Sequence, residues 1–384
     1  MKREENRHMI YRNYGTTGVK VSAIGFGGMR FQKPDDFDAN ASLVKAAYDS
    51  GISYFDTAPL YGKSEDIFGV AFKEMLRTRA ERPFHVSTKT FKSNPSEIRA
   101  DIETSLKRMG LDHVDFFHMW CLMRPGELSE RRAAGALREF ERLRDEGLVR
   151  HICVSAHMAG PEIAAMLEEH AFDGILLGYS PMNFAYREAG VEAAARKNIG
   201  VVVMNPLGGG IIPQHSHKFR FLSTRPGETV VEGALRFLLN DKRITCALVG
   251  LSDMAQLAEA LRAVDGFHPL PPEQVEAIRG GLRAGFDHMC TGCGYCLPCP
   301  KGLAVPKLMD AYNQFVLTGR TEDIFPRLQW HWAISQNTPE AFACVACGEC
   351  VKRCTQKLPI IERIAEIRNA IERIHSSTSS QAEQ

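Results

Sequence analysis

Eight cysteines in two tight runs are the strongest chemical signal in this chain. Cys290, Cys293, Cys296 and Cys299 follow one another at two-residue intervals with Pro300 directly behind, and Cys344, Cys347 and Cys350 repeat the interval before Cys354 follows three residues later. Thiolates so spaced are soft metal ligands, and both tetrahedral zinc and iron–sulfur clusters use them. A second set lies upstream: a carboxylate, a phenol, an ammonium and an imidazole at Asp56, Tyr61, Lys89 and His118. Such groups move protons and stabilise charge that develops on a carbonyl oxygen. Tyr61 to Lys89 is 28 residues and Lys89 to His118 is 29, the near-equality that a repeating structural unit produces. Any one of the four alone would pass as an ordinary strand-end polar residue; their shared spacing favours a joint role.

The elements that must position these groups are legible as a pattern. Short apolar, β-rich runs alternate with amphipathic helical windows, with strands expected near 23–27, 53–57, 84–89, 113–120, 149–156, 174–180, 200–206 and 244–250. Eight strand–helix units in about 250 residues are the arithmetic of a (β/α)8 barrel. Barrels concentrate chemistry at the C-terminal ends of their strands, and Asp56, Lys89 and His118 sit at or near such ends, with Tyr61 in the loop behind Asp56. MIYRNYG and TGVKVSA, joined by a Gly/Thr turn, are expected to form a hairpin that plugs the opposite mouth. His85, His113, His151 and His157 also lie near strands, without partner spacing that singles them out; His157, just past Ser155, is the one nearest the expected rim.

Through IGFGGMR, YFDTAPLYGKSE, the Lys of STK, the His of FFHMW and PLGGG, residues 9–265 resemble the aldo/keto reductase family. The resemblance implies that Asp56, Tyr61, Lys89 and His118 are that family's catalytic tetrad. A neighbouring ammonium would make the Tyr61 phenol a better acid, with Asp56 fixing Lys89. It also implies a nicotinamide cofactor, NADP(H) or NAD(H), along Ser155, Met204, Leu207, Gly208, Gly209, Gly250, Ser252, Gln256 and Glu259. The family's usual Asn, Gln and stacking Tyr are replaced here by Ala156, Leu176 and Met204, and its phosphate-binding Arg and Asn by Gln256 and Ala260. What remains is largely backbone chemistry at Gly208, Gly209, Gly210 and Gly250, so weak dinucleotide binding with little preference for the 2′-phosphate is expected.

The second cysteine run is close to the bacterial ferredoxin pattern, in which three cysteines bind one cubane and the fourth ligates the other. That resemblance implies one [4Fe–4S] cluster on Cys290, Cys293, Cys296 and Cys354 and a second on Cys344, Cys347, Cys350 and Cys299. The runs depart from it in two places: two residues rather than three precede Cys299, and Thr355 stands where a proline is usual. VPKLMDAYNQFVLTG and KLPIIERIAEIRNAIERI are expected helices, so this module resembles the helical ferredoxin domain, and a barrel followed by it resembles an iron–sulfur branch of the aldo/keto reductases. Trp330 and Trp332 are expected in the core or at a domain interface.

Composition bounds the rest. The chain has 384 residues, 44% hydrophobic and 24% charged, with a formal net charge of +1, which excludes wholesale disorder and argues against a nucleic-acid partner. Its opening MKREENRHMIYRN is charged and no later run approaches the ~20 apolar residues of a membrane span, so a cytoplasmic protein with no membrane partner is expected. A reducing compartment also disfavours disulfides for its 11 cysteines. The expected organisation is a barrel over 1–265, a helical connector over 266–286, a dicluster domain over 287–372 and a disordered tail over 373–384. The expected function is an iron–sulfur oxidoreductase interconverting a small-molecule carbonyl and an alcohol, with glycans, keto acids, quinones and steroids all open as substrates. The alternative is a nicotinamide-independent redox enzyme or electron-transfer subunit whose clusters serve a barrel-bound substrate, a ferredoxin or another redox partner.

Overall fold

The computed structural model describes residues 9–285 and 289–382, and the side chains of all of these except 283–285, 330, 331 and 374–382. It divides into two compact units, Met1–Arg279 and Gly280–Gln384.

In the first unit an antiparallel hairpin, β1 (Tyr11–Asn13) and β2 (Lys20–Ser22), precedes a closed barrel of eight parallel strands. These are β3 (Ile24–Gly27), β4 (Tyr54–Asp56), β5 (His85–Thr90), β6 (Val114–Leu122), β7 (Val149–Ala156), β8 (Gly174–Gly178), β9 (Gly200–Met204) and β10 (Cys246–Gly250), each pairing with the next in sequence, and β10 closing on β3. All eight fall within two residues of the expected strand starts. The strands are buried on both faces, as parallel strands covered by helices must be, and they read accordingly as continuous apolar runs such as GVVVM.

The floor of the barrel is set by Tyr14, in the hairpin turn. Its ring is fully buried and stacks on Phe116 with centroids 4.0 Å apart, and its hydroxyl lies 3.6 Å from Cys153 Sγ. Room for it comes from the glycines that begin β8 and β9. A Cβ on Gly174 would sit 2.1 Å from the Tyr14 hydroxyl, and one on Gly200 would sit 2.4 Å from its ring. The expected plug is therefore one aromatic side chain seated on two glycines.

The connector expected at 266–286 is mostly one helix, Pro272–Gly285. Arg279 reaches back to Glu188 at 3.4 Å and Asp241 at 3.6 Å, and its guanidinium lies 5.1 Å from the Phe184 ring centroid. These contacts hold the first half of the helix to the barrel, so the first unit extends to Arg279 rather than 265.

The second unit is helical among its described residues. Helices Val305–Thr318 and Ile360–Ala382 share a core of Leu308, Met309, Tyr312, Ile364, Ile367 and Ile371. The latter helix passes the expected boundary at 372 and includes residues 373–382, because once nucleated by its packed half a helix extends one hydrogen bond per residue. Trp332 is half-buried, its indole N–H donating to Asp310 at 2.8 Å; the Trp330 side chain lies outside the described residues. No helix among the described residues is long and apolar enough to cross a membrane.

Placing a methyl group against Tyr14 overpacks the barrel floor. Gly174→Ala and Gly200→Ala should each lower unfolding free energy by about 1–3 kcal/mol in chemical denaturation. Gly280→Ala, on a helix with nothing within 4 Å of the new Cβ, should be neutral or stabilising.

Candidate active site

Asp56 is the last residue of β4 and pairs in register with Ser87 of β5, while Lys89, two residues on and pointing the same way, pairs in register with His118 of β6. Strand alternation therefore brings four polar side chains inward in two successive layers. Lys89 Nζ donates to both Asp56 carboxylate oxygens at 2.7 Å, and Ser87 Oγ donates to one of them at 2.7 Å. Both partners of the ion pair are buried. Burial pulls the Lys89 ammonium below its ordinary pKa, opposed by the Asp56 charge.

Tyr61 arrives from the loop after β4, in a turn fixed by Tyr61 N–H to Ala58 C=O at 3.0 Å and closed by the buried Thr57–Ser64 hydroxyl pair at 2.8 Å. Its ring centroid lies 5.3 Å from Lys89 Nζ and meets Trp120 edge-on at 5.6 Å. Phe91 continues the aromatic wall, 6.4 Å from Trp120. Met29, Leu60 and Phe91, from the ends of three successive strands, are exposed at this face.

His118 is fully buried, and its pKa falls to about 3, first from burial and second from the Lys89 charge. The ring is thus neutral at ordinary pH. Nδ1 faces the Val154 carbonyl at 3.4 Å, while Nε2 is buried with no protein partner. The tautomer that satisfies Val154 carries its proton on Nδ1 and presents Nε2 as an acceptor, suited to an alcohol O–H. Donation from Nε2 to an oxyanion, the role expected from the sequence, needs the other tautomer and gives up this long bond.

The residues expected to hold a dinucleotide line the same C-terminal strand ends. Ser155 is buried with no partner for its hydroxyl, Ala156 and Leu176 are buried, and Met204 is half-buried against the interior cluster around Tyr54 and Leu176. Leu207 leads into Gly208, Gly209 and Gly210, whose φ angles of +62°, +69° and +101° make a turn that only glycine adopts without strain. Gly250 lies under Arg30, whose Cγ would be 2.8 Å from an added Cβ. Gln256 is committed to its own turn: its side-chain oxygen accepts from the Ser252 amide at 3.1 Å and hydroxyl at 2.9 Å. Beyond it an open groove of about 510 Å³ is lined by Glu259, Arg220, Ser216 and the Thr229 cap of helix Val230–Asn240. Arg220 was not anticipated; it comes from the 211–228 segment, where only its basic charge could have drawn attention.

Among the other histidines, His85 bonds Asp115 at 3.0 Å and His151 lies 3.9 Å from Asp173, both at strand starts on the opposite face. His157 is buried at the rim, its carbonyl accepting from the fully buried Arg187 at 3.2 Å.

In the second unit the cysteines form two cages. Cys290, Cys293, Cys296 and Cys354 surround one small cavity, and Cys299, Cys344, Cys347 and Cys350 surround another. No disulfide forms among them. Each cage takes three cysteines from one run and the fourth from the other. Four thiols around an apolar cavity fit a cubane cluster.

Residues 23–282 match the profile of the Aldo/keto reductase family. The chain belongs to that family. Residues 289–358 of this aldo/keto reductase match the 4Fe-4S dicluster domain, so a reductase barrel and an iron–sulfur module share one chain. It is 28% identical over 308 residues to L-galactose dehydrogenase of Arabidopsis thaliana, covering 70% of this chain and 93% of that one. It is 24% identical over 316 residues to L-glyceraldehyde 3-phosphate reductase of Escherichia coli O157:H7, covering 68% and 89%. The holo form of an aldo-keto reductase from Bacillus halodurans superposes with a TM-score of 0.58 at 21% identity, covering 71% of this chain and 96% of that one. This aldo/keto reductase is an oxidoreductase.

Neutral burial of His118 makes stability depend on pH. Its folded pKa lies below the ordinary 6.5, so between those values the unfolded chain binds the extra proton and stability falls as pH drops. His118→Gln should flatten that dependence between pH 6 and 4 by up to one proton, about 1.4 kcal/mol per pH unit, in denaturant midpoints measured across pH. An unchanged slope would show that His118 titrates normally.

Proposed function

We propose that the barrel interconverts a carbonyl and an alcohol, with Tyr61 as the group that gives and takes the proton. The observation that carries this is the buried Asp56–Lys89 pair, which holds an ammonium 5.3 Å from the centre of the Tyr61 ring. A cation at that distance favours the phenolate and so lowers the barrier to proton loss. Tyr61 exchanges the substrate proton, while His118, in the tautomer that gives up the long Val154 contact, donates from Nε2 to the same substrate oxygen and orients it, and Trp120 limits the swing of the Tyr61 ring. Met29, Leu60 and Phe91 favour a substrate with an apolar face beside its carbonyl.

A nicotinamide dinucleotide, when bound, supplies or takes the hydride. The chain's residues fit its parts: Ser155 offers an unpartnered hydroxyl near the reacting end, Gly208–Gly210 offer close backbone approach, and Glu259 and Arg220 offer a carboxylate and a guanidinium in the groove. The two cages each hold a [4Fe–4S] cluster in this reading, with Cys354 and Cys299 as the exchanged ligands.

A second reading is supported by the residues that replace the usual nicotinamide contacts. Ala156 and Leu176 offer no side-chain hydrogen bond, and Gln256 spends its acceptor on Ser252. On this reading the clusters serve the barrel substrate or a redox partner of ferredoxin type, and the rim residues manage protons only.

Tyr61→Phe should lower carbonyl reduction by at least about 10²-fold with the fold and iron content unchanged, measured as steady-state turnover with NADPH and NADH. Anaerobic calorimetry with both dinucleotides separates the readings. Weak binding with at most a modest NADPH preference is expected; no binding, together with cluster reduction by a ferredoxin, favours the second.

A further inference from the structure

The two cages are built from one pattern used twice. CTGCGYC, from Cys290, aligns with CVACGEC, from Cys344, and CTQKL, from Cys354, aligns with CPKGL, from Cys299. Backbone donors obey the repeat: the Gly292 amide donates to Cys290 Sγ and the Ala346 amide to Cys344 Sγ, both at 3.4 Å. Hydroxyls do not. Thr291 stands where the other copy has Val345, and Thr355 stands where it has Pro300.

Thr355 Oγ1 lies 3.4 Å from Cys293 Sγ and accepts the Gln356 side-chain amide at 3.3 Å. A sulfur that ligates a cluster is a thiolate and can only accept, so at this distance the Thr355 hydroxyl would donate to it. Thr291 Oγ1 is buried without a partner, on a residue that lines the same cavity. Arg363, buried, is electrostatically coupled to the Cys290 and Cys354 sulfurs. The other cage is lined by Pro300, Leu303, Val305, Val345 and Ile364, with no hydroxyl. Its nearby charges are the exposed Lys301 and the half-buried Glu349, the latter held by Lys352 at 3.0 Å and Arg353 at 3.3 Å.

We propose that the two sites are electronically unequal: the site of Cys290, Cys293, Cys296 and Cys354 has the higher reduction potential, and the hydroxyls of Thr291 and Thr355 set the difference. Hydrogen bonds and positive charge at the sulfurs stabilise the more negative reduced state, which is how proteins raise a cluster's potential. Water near the exposed Cys347 acts in the same sense at the other site. Fixed dipoles and a guanidinium in a low-dielectric interior act more strongly per group than mobile solvent, so the threonine site prevails. The proposal rests on the reading that each cage holds a [4Fe–4S] cluster.

The test is anaerobic potentiometry followed by electron paramagnetic resonance on the full-length reconstituted chain. Wild type is compared with Thr291→Val, Thr355→Val and Val345→Thr, after iron and sulfide analysis of each sample. About eight iron and eight sulfide per chain and two distinct one-electron waves are expected. Thr355→Val and Thr291→Val together should shift the upper wave down by about a tenfold change in its equilibrium constant, near 59 mV, and leave the lower wave in place. Val345→Thr should raise the lower wave alone. Coincident waves in wild type, or threonine variants that move the lower wave or neither, overturn the proposal with the cluster reading intact. Zinc in place of iron overturns the cluster reading itself.

Discussion

The buried ion pair between Asp56 and Lys89 is the constraint around which the C-terminal rim of the barrel is arranged. Two opposite charges removed from water are tolerated only when each is well satisfied, and here the carboxylate takes two bonds from Lys89 and one from Ser87. Removing either charge would leave the other stranded in a closed barrel. The pair fixes β4 against β5, and its ammonium acts outward in two directions: toward the Tyr61 ring, and toward His118, where it helps to hold the imidazole neutral. One interaction thus ties two strands together and places a positive charge beside both the Tyr61 ring and the His118 imidazole.

The opposite end of the barrel is organised on different physics. Tyr14 fills the floor by shape, and its cost is borne by glycines in β8 and β9, where a side chain would collide with its ring or hydroxyl. Polar pairs at strand starts, such as His85 with Asp115, finish that face. The proposed chemistry thus has one rim to itself, while the other is filled by packing and paired polar groups.

The second unit solves a separate problem. Its apolar core is small, and the polypeptide around the cysteines is mostly turn. Drawing Cys354 to the first run and Cys299 to the second ties the ends of a long intervening segment together, so a cluster held as proposed would couple its binding to folding there. Thr291 and Thr355 show that two copies of one cage need not be chemically alike.

The barrel, the two groups of cysteines and the four rim residues were legible in the sequence because each leaves a periodic trace: strand–helix alternation, two-residue cysteine spacing, and one polar residue per repeat. The resemblance also implied an expectation that the usual nicotinamide contacts are thin. Ser87 was within reach of the same reasoning, since it precedes Lys89 by two positions on one strand and must share its face. What the tertiary structure alone decided were the contacts between residues distant in sequence. Arg279 carries the barrel past residue 265 because Glu188 and Asp241 lie beneath it. Gln256 is unavailable because it bonds Ser252, while Arg220 enters the groove from another loop. The His118 tautomer depends on a carbonyl in a neighbouring strand, and the unequal surroundings of the two cages depend on which hydroxyl meets which sulfur. Local pattern records what a residue is and which way it faces; its partners are fixed only when the chain closes on itself.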